Sequence, residues 1–168
     1  MAGNPQRILL GKGVFYIDET PIGLIRGGGQ FVVERENRPI EADGDRGYVK
    51  GRIVVDKSTP KLTVNALEII HDNLPKLYSA VQLTDEDGKK KITGTSEIKE
   101  SDYHNVVKFV GSTKGGSEVV ISVENAINLE NIDWALQDKS EVVATLTYTG
   151  CYEEDSPADY EPWSIIYA

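Results

Sequence analysis

The side chains able to do chemistry are few, and they are badly spaced for it. The only histidines are His71 and His104, thirty-three positions apart. With the single cysteine, Cys151, they supply too few ligands for zinc, and no ligand-like spacing surrounds either of them. His71, next to Asp72, reads as a surface residue at a strand end. Asp85-Glu86-Asp87-Gly88 has the look of a calcium loop, but Gly88 comes too early for one and Lys89 takes a ligand position. Gly11-Lys12-Gly13 lacks the third glycine of a dinucleotide fingerprint and precedes a strand rather than a helix. Neither a phosphate-binding G-x-x-x-x-G-K-[ST] nor a G-x-S-x-G nucleophile elbow occurs. Carboxylates are so numerous that pairs of them say nothing about acid–base work. No catalytic residue, metal or cofactor is expected.

The chemistry that remains is charge, and it is concentrated on one stretch, Leu24–Arg52. Three glycines, Gly27 to Gly29, open it. A strand-like run follows over Gln30–Glu36, with Phe31 and Val33 on one side and Val32 and Glu34 on the other. Asn37–Arg52 then carries little that is apolar beyond Ile40, Tyr48 and Val49, before Ile53-Val54-Val55 resumes the sheet. That connection is far longer than the two to five residues a hairpin needs. From Glu34 to Asp56 six acids and five bases are interleaved, whereas disordered tails tend to carry blocks of one sign. A mixed-charge arm hinged on glycine suits docking onto a surface that presents both signs. A solvated hairpin with scattered charges is the plain alternative. Arg35, Arg38, Glu41, Asp43, Asp45, Arg46, Tyr48, Lys50 and Arg52 are the candidate contact residues.

The elements that must position this arm are mainly strands. Val14–Asp18 alternates. Lys61–Ile69 places Leu62, Val64 and Ala66 on one face, with a bulge expected near Leu67. One helix of two to three turns is expected after Asn73, with Pro75 in its first turn and Leu74, Leu77, Tyr78 and Val81 at helical spacing. Thr84–Lys91 reads as a turn and solvated loop tip, its acids before Gly88 and its bases after. Val106–Val110, Glu118–Glu124, Ile132–Gln137 and Glu141–Tyr152 supply further strands, with Asp138–Ser140 joining the last two as a hairpin. Residues 1–12 read as a loose leader. Residues 153–168 read as an acidic C-terminal arm closing on an alternating strand in which Trp163, Ile165 and Tyr167 are the expected anchor. About eight short strands and one helix argue a mainly β fold, an antiparallel sandwich or partly closed barrel with a short flanking α-helix. Such a fold must protect its open edges, and pairing them with neighbouring copies is one way.

The 168 residues suffice for one domain burying roughly two-thirds of its unfolded surface. A net charge of −9 argues against general attraction to nucleic acid or anionic lipid. One cysteine cannot form an intramolecular disulfide, and Ile8-Leu9-Leu10 is too short for a signal-peptide core or a membrane span. Trp134, Trp163 and eight tyrosines raise a carbohydrate-binding module as a second reading, although Trp134 sits at an inward-alternating position.

The runs GLIRGGGQFVVERE (Gly23–Glu36), IEADGDRG (Ile40–Gly47) and VKGR (Val49–Arg52) resemble the major tail protein, or tail tube protein, of long-tailed bacteriophages of the siphophage type. PKLTVNALE (Pro60–Glu68), NLPKLY (Asn73–Tyr78) and Glu161-Pro162-Trp163 continue the likeness, which is strong over residues 14–80 and rests mainly on strand pattern from 100 to 168. The resemblance implies a structural virion protein without catalysis, a β-sandwich forming hexameric rings that stack into a tube. Its implied partners are itself, the tape-measure protein, the tail terminator and the distal tail protein, with DNA passing through the bore unbound. A long early loop reaches a neighbouring copy in that family, and by position it corresponds to 37–52 here. Some members carry an additional immunoglobulin-like domain at the C-terminus; with Ala168 last, none is expected. The inner tube of a contractile tail or of a phage-tail-like bacteriocin would share the subunit fold. An acidic subunit repeated around a ring would give a bore to which phosphate backbones do not stick.

Overall fold

Period-2 alternation becomes ten strands and one short helix in a computed structural model that describes residues 2–168. Met1, the first residue of the expected leader, lies outside the described residues. The strands are β1 (Leu9–Ile17), β2 (Thr20–Pro21), β3 (Ile25–Pro39), β4 (Ile53–Ala66), β5 (Val81–Glu86), β6 (Lys89–Gly94), β7 (His104–Thr113), β8 (Glu118–Asn128), β9 (Ala144–Thr149) and β10 (Trp163–Tyr167). The helix α1 is Leu74–Leu77. Every pairing is antiparallel.

Two layers share a strand. One is β2-β1-β7-β8, with β10 on the far edge of β8; the other is β8-β9-β4-β3. β8 serves both because Val119–Val123 pair with β10 while Ile127 and Asn128 pair with β9. The sheet does not close into a barrel, and the fold is the expected mainly β, sandwich-like arrangement. Its core takes Phe15, Ile17, Val107, Phe109 and Val123 from one layer and Leu62, Val64, Ala66, Ala144, Leu146 and Tyr148 from the other. The alternations over Leu62–Ala66 and Ala144–Tyr148 are thus core faces, as their period requires. Each large aliphatic or aromatic side chain buried this way is worth about 1.5–3 kcal/mol.

Several expectations need correction. Leu9–Lys12 are not a leader but the start of β1, irregular where its register against β7 shifts between Leu9 and Gly13, and Pro5–Arg7 form a 3-10 turn capped by Asn4. The arm's connection is shorter than 37–52, because Asn37, Arg38 and Pro39 still pair with Val55, Val54 and Ile53. The irregularity expected near Leu67 is present but is carried by the partner strand: β3 has the extra residues between Ile25 and Gly29, opposite Ala66 and Val64, and a second register shift falls at Glu36/Asn37. Thr84–Lys91 is a true hairpin, β5–β6, turning at Asp87-Gly88, where both residues have positive φ.

The helix is a single turn. Asn73 makes no side-chain cap, Tyr78 is already extended, and Val81 begins β5. The helix ends at Tyr78, and two residues on the chain turns left-handed at Ala80, whose φ is +54°. Its backbone is pinned there, donating to Asp102 at 3.3 Å and accepting from the Thr95 N–H at 2.8 Å. A left-handed alanine costs about 1–2 kcal/mol, and glycine relieves that at an entropic cost of about 0.5–1 kcal/mol. Ala80→Gly should therefore stabilise the protein by about 0.5–1 kcal/mol, read as a higher urea midpoint at unchanged m-value.

The largest departure concerns Ile132–Gln137 and the hairpin at Asp138–Ser140. Residues 129–143 form no strand. Trp134 packs against the core and donates from Nε1 to the Tyr78 hydroxyl at 3.1 Å, but Ile132 and Leu136, on the same alternation, are 52% and 78% exposed. Alternation marks a face that is able to pack; it does not supply the neighbouring strand.

Candidate assembly surfaces

The arm is built from the outer halves of β3 and β4. β9 pairs with β4 only over Lys61–Ala66, so Ile53–Thr59 have β3 as their sole strand neighbour and form a two-stranded ribbon with Glu34–Pro39. The ribbon's register shifts where Asp56 is the extra residue on β4, and Asp56 accepts there from Arg38 Nε at 2.9 Å and Arg38 Nη2 at 3.3 Å. Beyond it, Ile40 N–H donates to the Arg52 carbonyl at 2.7 Å, closing the base of the tip loop. Asp45 staples the tip, accepting from Ala42 N–H and from Arg52 Nη2, both at 2.8 Å. Exposed pairs of this kind add at most about 1 kcal/mol each; their effect is on shape.

Of the predicted contact residues, the structure pairs Arg38 with Asp56 and Asp45 with Arg52. Arg35, Glu41, Asp43, Arg46 and Lys50 are exposed, and their side chains have no hydrogen-bond or ion-pair partner among the described residues. Tyr48 is 79% exposed. The tip therefore offers two acids, two bases and an aromatic ring, with Arg35 further down the ribbon. These are groups for contact rather than for chemistry.

At the C-terminus the predicted anchor divides. Trp163 is half-buried against Phe31, with ring centroids 6.0 Å apart. Ile165 and Tyr167 are exposed, so backbone pairing with β8 does the holding there, helped by Glu124 N–H donating to the Pro162 carbonyl at 2.8 Å. In the acidic segment before β10, Tyr160 donates to Glu124, and Tyr152 meets the Tyr160 ring edge-on. Burial, then the Glu124 carboxylate, push the Tyr160 phenol up to about 12. Neither tryptophan lies free on a surface as a sugar platform would need.

Three further surfaces stand out. β3 pairs only with β4, leaving its outer edge open along its length. β1 is likewise open before Phe15, whose carbonyl accepts from Ile22 N–H at 3.0 Å just past β2. Between these two edges lies an apolar groove of about 230 Å3 lined by Leu9, Leu10, Phe15, Phe31, Phe109 and Ile121. On the outward face of the first layer, registers align Val14, Val110, Val120 and Ile166 in one row across four strands. Outward faces of a sandwich are ordinarily polar, and unpaired edges are sites where another chain can add.

No protein-family model matches this chain. Nor does any curated protein match it in sequence.

His104 was not visible as a structural residue from sequence. It is buried, with Nδ1 3.1 Å from Asp18 and Nε2 2.9 Å from the Lys76 carbonyl at the end of α1. Asn128 donates to the neighbouring Leu77 carbonyl at 2.6 Å. These side chains satisfy carbonyls that a one-turn helix leaves without partners. Asp18 is eighty-six positions from His104 and no local pattern links them. His71 is exposed beside Asp72, as read from sequence. Among the described residues no cluster of His, Cys, Asp and Glu could hold a metal ion, and no helix is long and apolar enough to cross a membrane. Burial raises the Cys151 thiol above its ordinary range, keeping it protonated.

Proposed function

We propose that this chain is a structural subunit that polymerises with copies of itself into stacked hexameric rings, forming the tail tube of a long-tailed bacteriophage through which DNA leaves the particle. The observation that carries the reading is the ribbon formed by Glu34–Pro39 and Ile53–Thr59, which has no third strand beside it. A two-stranded ribbon is marginal in water by itself, and this one ends in a tip with Tyr48 and unpaired charges of both signs. Such a feature gains stability when another surface covers it. The resemblance over residues 14–80 names that surface as a sibling subunit. Open edges on β1 and β3 add heterologous contacts of the kind that close rings or extend filaments. The tape-measure, terminator and distal tail proteins would be the other partners, and the virion tail the place of action.

The experiment is a concentration series of the purified protein imaged in negative stain. Hollow tubes of uniform width, appearing above a threshold concentration, are the expected result. A chain that stays monomeric at every concentration would overturn the reading. Glycan binding by that monomer would favour the carbohydrate-binding alternative.

A further inference from the structure

We infer that the outward face of the first layer is a docking surface for a basic amphipathic helix of a partner protein, with the row Val14, Val110, Val120 and Ile166 taking the helix's apolar stripe. The inference goes beyond self-assembly and does not depend on it.

The two outward faces of the sandwich differ in kind. On the second layer the outward positions are polar and bond one another: Thr63 Oγ1 lies 3.1 Å from Thr147 Oγ1, and Thr145 donates to Asn65 at 2.9 Å. On the first layer, the positions alternating away from Phe15, Val107, Phe109 and Val123 include Val14, Tyr16, Val106, Val110, Val120 and Ile166. Val14 and Ile166, at the two ends of the row, are 45% and 57% exposed, and Val110 and Val120 between them are half-buried. The outside of a sandwich is ordinarily polar, and contiguous apolar surface there marks a site of contact.

The dimensions of the row select a helix. It crosses four strands, so its ends lie about 14 Å apart at ~4.8 Å per strand. A helix offers one apolar residue per turn of about 5.4 Å, and its positions i, i+4, i+7 and i+11 span about 16 Å. With a diameter of about 10–12 Å, such a helix covers on the order of 200 Å2 of the face. A stable complex between two globular surfaces needs about 800 Å2 on each partner, so the row cannot by itself hold a second copy of this chain face to face. The helix α1 is a single turn whose Leu74 and Leu77 are in the core, so a copy of this chain has no helix to offer.

Charge selects the sign of that helix. Lys108, in the middle of the face, is already bonded to Glu19 at 3.1 Å and lies over the Tyr16 ring. Further along β8, Glu124 stands on the same face as Val120. Glu153 is near it, since both carboxylates raise the Tyr160 phenol. Glu154, Asp155, Asp159 and Glu161 follow, with no base after Lys139. None of these acids has an ion-pair partner among the described residues. At the other end of the strands Glu118 stands near Lys12 and Lys114, which gives no preference. The complement is an apolar stripe flanked by Lys or Arg on the side toward Glu124.

The test is a titration of the dilute, methyl-labelled full chain, read by nuclear magnetic resonance. The probe is a synthetic Leu/Lys peptide of about five helical turns, with its leucines in one stripe; a Leu/Glu peptide of the same pattern is the control. Shifts centred on the methyls of Val14, Val110, Val120 and Ile166 are expected, with the Leu/Glu peptide binding at least tenfold more weakly. The Val14→Thr/Ile166→Thr variant should also bind the Leu/Lys peptide at least tenfold more weakly. It keeps β-branching at both positions, and both side chains are exposed, so it should melt with the wild type. No shift along the row, shifts centred on the groove between β1 and β3, or equal binding of the two peptides would refute the docking surface. A variant that binds as well as the wild type would refute it too, by showing that the acids alone hold the peptide. The chain is dilute throughout, so none of these outcomes decides whether it forms tubes, and a chain that forms none leaves this test unaffected.

Discussion

Gly29→Ala should cost the fold about 3 kcal/mol, at the upper end of what overpacking a core does. The position lies on β3 opposite Val64, just past the first register shift. A Cβ built there would sit 2.2 Å from the Thr63 carbonyl oxygen and 2.7 Å from the Phe15 ring. The first neighbour is backbone of the paired strand and cannot swing aside. The second is a core ring already tilted against Phe109, with centroids 5.1 Å apart. Relief requires prying β3 from β4, which would also loosen the ribbon that continues from them. A drop in the urea midpoint of that size, with loss of assembly, is the expected outcome. Gly28→Ala makes a useful contrast: its Cβ meets nothing within 4 Å, but its φ of +68° imposes backbone strain. Its cost should be smaller, about 1 kcal/mol. Equal costs at the two positions would show that the close approach at Gly29 is not what requires glycine.

Replacing Asp43, Asp45 and Arg46 together with alanine should leave the monomer folded and abolish tube formation. All three are on the exposed tip, far from the core, where substitutions ordinarily change stability by less than about 0.5 kcal/mol. They do not act alike, however. Asp43 and Arg46 have no partner within the chain and are free to meet one outside it. Asp45 accepts from Ala42 N–H and Arg52, and so holds the tip in shape. Asp45→Ala alone should therefore weaken assembly by leaving the tip unshaped, and Asp43→Ala/Arg46→Ala by removing the contacts themselves. Thermal melts check the first half of the prediction and negative-stain imaging the second. Tubes formed as readily as by wild type would mean that the tip is ordinary solvated loop.

What the sequence disclosed followed how local each cause is. The faces of β4 and β9 were readable because alternation of Leu62, Val64 and Ala66, or of Ala144, Leu146 and Tyr148, is set by the backbone's own period. The arm was readable from its length and interleaved charge, although its internal pairs, Arg38 with Asp56 and Asp45 with Arg52, needed coordinates. The β5–β6 hairpin had a plain Asp87-Gly88 turn signal that the segregated acids and lysines around it masked. The helix was overestimated because Leu74, Leu77, Tyr78 and Val81 keep helical spacing although the backbone is already extended at Tyr78 and turns left-handed at Ala80. His104 and Asn128 left no local trace, since what they bond lies on α1, twenty-eight and fifty-one positions away. Ile132–Gln137 shows the opposite failure: its residues alternate, but only Trp134 finds a place against the core and no strand forms there.

Because β8 belongs to both layers, neither layer can melt by itself. Detaching Ile127 and Asn128 from β9 loosens the same strand that holds β7 and β10, so heat should meet one cooperative block rather than two leaves that peel in turn. The β5–β6 hairpin pairs with no other strand and is exempt from that bargain. It is the place where fraying should begin while the rest stays whole.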